Sequence, residues 1–296
     1  MNNISKTSVT TLAIFLSSIS FTMIPKMGHS ETAENALHRV NIAGRQRMLS
    51  QHIAGLACIT HLEHEAALHG QETLEALDLY TETLTLLRDG SAESGLGIEN
   101  NPKILVDIAK AVDGLETMTE ILAPLSNGGE IDLPHLSAIS AASNILTETS
   151  AHVITEIQTA YSGELSDLTL IETMIINFAG RQRSLSEKAF KEFCFVEAGV
   201  NTATNLEELA QTIELFDNTM AALINGMQGL ILPPPTEEIK AKLIEANTVW
   251  LAAEDFLKRA IAGEQFDEET ILKASEEFTK VRLLMDEAVL LYQQAS

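Results

Sequence analysis

The ten residues from Asn41 to Ser50 read NIAGRQRMLS, and those from Asn177 to Ser186 read NFAGRQRSLS. Eight of the ten are identical at a spacing of 136 residues. The same offset runs on without a gap to residue 90, pairing Cys58 with Cys194, Tyr80 with Phe216, Thr83 with Thr219, Leu87 with Leu223 and Gly90 with Gly226. A chain with such self-similarity is two copies of one structural unit, and the shared residues mark what both copies need. Here the shared string is polar and cationic, which packing alone rarely demands.

The chain's 296 residues suffice for two domains of ~130 residues, each with its own core. Aromatic residues make up only 5%, and the abundance of Ala, Leu, Glu and Thr favours helices over sheets. From residue 31 onward the apolar spacing is helical, and no alternating strand pattern competes with it. Helices are expected over residues 31–70, 71–88, 133–161, 165–199 and 206–227, with others starting at Pro102 and Glu237 and a last one capped by Asp267. The breaks fall near Gly70, in the loop 89–101, at Pro124 with Gly128–Gly129, at Ser162–Gly163, at the Pro233–Pro235 spacer and over 263–266. This spacing predicts an all-α fold of two tandem four-helix bundles, residues 31–162 and 163–296, related by the repeat and packed about a pseudo-two-fold axis.

Residues 1–30 read as a secretory signal peptide. Lys6 precedes the apolar run from Thr11 to Ile24, Pro25 breaks it, and Gly28 and Ser30 suit a cut after Ser30. The run is shorter than the ~20 residues a bilayer needs, with an uncleaved membrane anchor as the alternative, and no later stretch is apolar enough to span one. The expectation is an exported periplasmic protein with no stable membrane span after cleavage, in an oxidising compartment. Residues 31–296 hold 17 of the 19 basic residues and all 42 acidic ones. So acidic a surface repels nucleic acid and anionic lipid, and no nucleic-acid partner is expected.

On a helical wheel, Ile42, Leu49, Ile53 and Leu56 form an apolar stripe that faces a bundle core. Gly44, Arg47, Gln51, Ala54 and Cys58 form a second stripe with the rhythm of a helix–helix seam. Its equivalents in the second copy are Gly180, Arg183, Glu187, Phe190 and Cys194. The first helix of each copy is thus expected to meet the other, with the two glycines permitting close approach and Arg47 and Arg183 at equal height. Two guanidiniums ~5 Å apart at an effective dielectric of ~20 repel by roughly 3 kcal/mol. A small anion between them converts that cost into charge-assisted contacts. Pairing with the chain's many acids is the alternative for both arginines, and Glu187, one turn from the level of Arg47, is a candidate partner. Arg45 and Arg181 sit beside the seam, where a solvated salt bridge is expected.

The strings NIAGRQRMLSQ and NFAGRQRSLSE resemble the signature of the PilJ/NarX-like periplasmic sensor domain, found in type IV pilus chemotaxis transducers and nitrate/nitrite sensor kinases. Members are four-helix bundles that pair through their first helices, and in the nitrate-sensing ones a motif arginine from each subunit holds one nitrate. The resemblance therefore implies a small anion, nitrate or nitrite first, bound by Arg47 and Arg183 with Gly44, Gly180 and Gln51. Ser50 and Ser186, the last identical residues of the two strings, complete the candidate set. The basic RQR string and Glu187 in place of Gln51 depart from the pattern. Relatives pass their signal through membrane helices to a kinase or methyl-accepting module, so a membrane-bound sensor or transducer is the implied partner of a chain that lacks its own output. The rival reading is an interaction module without a ligand, docking an envelope or membrane receptor.

The equal offsets of Cys58 and Cys194 predict a disulfide across the seam, with two buried free thiols as the alternative. His61, His64 and His69 cluster with Glu65 on one helix. The counterparts of the three histidines are Glu197, Val200 and Asn205, so the cluster is not part of the shared design. A solvated face is expected there, and no metal. No CxxCH haem motif, phosphate loop or nucleophile–base pair stands out, which points away from an enzyme and from any cofactor.

Overall fold

Helix-favouring residues punctuated by Pro, Gly and capping side chains give a chain that is helical nearly throughout. The computed structural model describes residues 32–62, 67–163, 170–228 and 231–295. The expected signal peptide over residues 1–30 lies outside them. Among the described residues there are eight α-helices and no strand. They are α1 (Ala33–Leu62), α2 (Ala67–Asp89), α3 (Pro102–Leu122), α4 (Leu133–Ala160), α5 (Leu170–Glu197), α6 (Thr202–Asn225), α7 (Glu237–Ile261) and α8 (Glu268–Ala295).

The starts follow local chemistry. Asn101, Asp132, Thr236 and Asp267 each accept a hydrogen bond from a backbone N–H of the first turn that follows, satisfying a donor the helix itself leaves open. The first break differs from expectation. Gly70 sits inside α2, buried between Thr60 and Leu125, while α1 ends at Leu62. A lone glycine only weakens a helix, and this one serves close packing. Likewise α6 begins at Thr202, four residues before the apolar pattern signals it.

Helix α1 packs against α2, α4 and α5, and its repeat partner α5 packs against α6, α8 and α1. Helix α3 covers α4, and α7 covers α8. Twenty of the 30 residues of α1 are buried, so its polar residues must find partners inside the protein. The middle residue of each RQR string shows how. Gln46 Nε2 donates to Tyr80 O at 3.1 Å and Gln182 Nε2 to Phe216 O at 2.9 Å. Tyr80 and Phe216 are themselves repeat equivalents, so the same bond ties α1 to α2 and α5 to α6.

The cores of the two halves differ in content. Phe216 stacks on Trp250 with centroids 3.7 Å apart, and Phe278 lies edge-on to Trp250 and against Phe190. The first half is built mainly of Leu, Ile and Ala. There, buried Arg39 donates to Leu87 O and Gly97 O and lies 3.5 Å from Glu99, anchoring the loop before α3.

Candidate functional site at the seam of the two repeats

The seam between α1 and α5 is closed by chemistry at matched positions. Cys58 and Cys194 form a disulfide with their Cα atoms 6.1 Å apart, within the usual range for such bridges. Small residues let the helices approach. A methyl group on Gly55 would stand 3.0 Å from the Phe190 ring, and one on Gly44 or Gly180 would stand 3.4 or 3.2 Å from Arg183 Nη2. The Arg183 guanidinium therefore lies over both motif glycines. It crosses to α1, where Nη2 donates to Asn41 Oδ1 at 2.9 Å, and to α8, where Nη1 donates to Asp286 Oδ1 at 2.5 Å. Burial lowers the pKa of Arg183, while Asp286 opposes that shift.

Arg47 shares the place but not the partners. It lines the same small cavity as Gly44, Gly180 and Arg183, yet its Nε and Nη2 atoms are buried without a hydrogen-bond partner among the described residues. Its pKa is pushed down to about 10, first by burial and then by the like charges of Arg181 and Arg183. Glu187 does not relieve it. That carboxylate bonds His52 Nδ1 at 2.9 Å and lies 2.7 Å from Arg282 Nε. Burial pushes the Glu187 pKa up, but His52 and Arg282 outweigh it and hold the carboxyl below its ordinary range.

The other candidate residues divide. Gln51 donates through Nε2 to Thr147 Oγ1 on α4, and its buried Oε1 has no partner among the described residues. Ser50 and Ser186 donate to the carbonyls of Arg47 and Arg183, each at 2.9 Å. Ser50 Oγ also lies 2.6 Å from Thr147 Oγ1 on α4. Arg45 and Arg181 make no ion pair among the described residues, contrary to the expected salt bridges, and each lines a groove. His64 and Glu65 lie outside the described residues. His61 Nδ1 contacts Ile131 O at 2.6 Å and His69 lies 3.7 Å from Glu72.

The grooves are themselves a repeated feature. One, of about 900 Å³, runs between α1, α2 and α8 and is lined by Arg45, Leu49, His52, Glu72 and Leu79. The other, of about 650 Å³, runs between α5, α6, α4 and α1 and is lined by Arg181, Leu185, Lys188, Glu208 and Leu215. These ten residues are five pairs at the repeat offset. Helices α4 and α8 also correspond, anchored by the capping Asp132 and Asp267, which lie 135 residues apart. At that offset each of the eight buried positions of α8, from Ile271 to Tyr292, falls on a buried position of α4. Asp286 then falls on Ala151, and Arg282 on Thr147. The acid that satisfies Arg183 has no counterpart beside Arg47.

Residues 30–151 and 172–278 match the family described as type IV pili methyl-accepting chemotaxis transducer N-term, PilJ. The chain belongs to the PilJ family. Both motif strings lie inside the matched segments, whereas Arg282 and Asp286 follow the second one. No curated protein and no solved structure matches the chain. Family membership makes this a sensor-type domain of the transducer class, and no described helix is long and apolar enough to cross a membrane.

Sequence reasoning places the PilJ-type arginines on one seam but misses what surrounds them. Asn41, His52, Thr147, Arg282 and Asp286 all contact candidate residues. Aligning α8 on α4 through their capping aspartates would have exposed the Asp286–Ala151 difference.

Proposed function

We propose that this PilJ-family protein is an exported, periplasmic binding protein that holds a small anion at the seam between two fused sensor units, residues 31–162 and 163–296. Nitrate and nitrite are the first ligands to try. Arg47 carries the interaction, with Gln51 beside it and Arg183 across the seam over Gly44 and Gly180. The protein acts by binding and passes the bound state to a membrane-bound sensor or transducer.

One observation supports this reading above the others: a cationic side chain whose Nε and Nη2 are buried and unpartnered, next to two further arginines. Burying a charge without a partner is costly, and an anion offsets the cost. The cavity between the two motif arginines is about 10 Å³, room for one water at most. An anion therefore reaches Arg47 from the adjoining groove, which Arg47 and Gln51 also line.

A ligand at 100 times its dissociation constant stabilises the fold by ~2.7 kcal/mol. For a chain of this size that raises the melting temperature by about 5–10 °C. Thermal shift with nitrate, nitrite and other small anions is the test. The reading expects a shift that disappears in Arg47→Ala, and absence of a shift with every anion overturns it.

A further inference from the structure

We infer that the groove served by Arg47 takes a small organic acid with a hydroxyl or ammonium group next to its carboxylate, and that this is the single open site of two. The inference rests on the anion-binding reading above and names the ligand class.

The second half of the protein shows what its motif arginine accepts. Arg183 holds a carboxylate, Asp286, with an amide oxygen, Asn41, as the second acceptor. At the equivalent place α4 presents Ala151, whose methyl group can accept nothing. Arg47 thus lines the same seam cavity as Arg183 but lacks the carboxylate. Nε and Nη2, its two unpartnered atoms, are adjacent donors on one edge of the guanidinium and match the two oxygens of one carboxylate. Because neither atom is bonded, turning that edge toward the groove breaks no hydrogen bond.

The groove offers more than an inorganic ion uses. Its volume of about 650 Å³ lies in the range of small-molecule sites. Leu185 and Leu215 provide apolar wall, and Gln51 Oε1 is a buried acceptor that lacks a donor. A hydroxyl or ammonium on the carbon beside the carboxylate supplies that donor while Arg47 holds the acid group. Arg181, Lys188, Glu148 and Glu208 also line the groove. The matched groove on the other side is as roomy, but its arginine is already held by Asp286.

Calorimetric titration of the full chain with lactate, alanine, acetate and nitrate tests this. Lactate or alanine is expected to bind one per chain, at least ten-fold tighter than acetate or nitrate. Ala151→Asp should abolish binding without lowering the melting temperature, because it supplies Arg47 with the partner Arg183 already has. Nitrate or acetate binding as tightly as lactate and alanine would overturn the ligand class while leaving the anion site standing. Binding of two ligands per chain, or full binding by Ala151→Asp, would overturn the one-open-site assignment. If no anion binds at all, the underlying reading fails with it.

Discussion

The two halves hold the same arginine in opposite conditions. Arg183 is sealed by Asp286 and Asn41, and the glycines beneath it fit its guanidinium. Arg47 has the same glycines nearby and no acid bonded to it among the described residues. One repeat position on a neighbouring helix, Asp286 against Ala151, makes the difference. The contrast teaches that identity within the motif does not fix the state of the site, since the deciding residue comes from the helix packed against it. It also separates two functions of one string: Gln46 and Gln182 hold the bundles together in both halves, whereas the arginines diverge.

Removing what the halves share should cost most. Replacing Cys58 and Cys194 with Ser frees a loop of 136 residues, for which the chain-entropy account gives a loss of ~4–5 kcal/mol. Chemical denaturation of the double variant should show it, together with weakened ligand binding because the seam is no longer clamped. Next comes Asp286→Ala, which leaves Arg183 buried and unpaired at a cost of about 3 kcal/mol. Acetate or formate added to that variant should restore part of the lost melting temperature. The unmodified protein should gain less from the same concentration, so an equal gain in both would erase the distinction between the arginines.

A smaller effect probes the charged core peculiar to the second half. Lys191 and Glu192 are buried where the first half has Gly55 and Leu56. Burial raises the Glu192 pKa from 4.5 to about 7. A carboxyl whose folded pKa lies above its unfolded value keeps its proton longer in the folded state. Stability therefore falls as pH rises through that window and stays at the lower level above it. Glu192→Gln should flatten the profile between pH 4.5 and 7 and gain about 1–2 kcal/mol at about pH 8, read by denaturant titration across pH. The smallest change is expected from Arg47→Met. That variant removes an uncompensated charge and keeps apolar bulk, so its stability should stay within about 1 kcal/mol of the parent. Arg183→Met should lose clearly more, since it strands Asp286 and Asn41.

Much of the fold was readable because two signals agreed. The repeat offset paired α1 with α5 along the seam, and helical periodicity with capping residues defined the elements. The seam was readable too, because glycine, arginine and cysteine recur along one helical face. The errors have physical causes. Gly70 resembled a break because glycine weakens helices, but burial against Thr60 and Leu125 held it in one. Glu187 was a candidate for Arg47 by its level along the seam, yet its side chain points to His52 and Arg282 on the opposite side. Asp286 stayed hidden because α8 shares little sequence with α4, and only burial pattern and caps align them. Ser50 and Ser186 recur with the same bond to the preceding turn.

The most direct test of the account is calorimetric titration of small anions into three proteins: the parent chain, Arg47→Ala and Ala151→Asp. One anion per parent chain and none for either variant is expected, with Ala151→Asp folded and at least as stable as the parent. Equal binding by all three would show that Arg47 is not the anion's partner and would contradict the central claim.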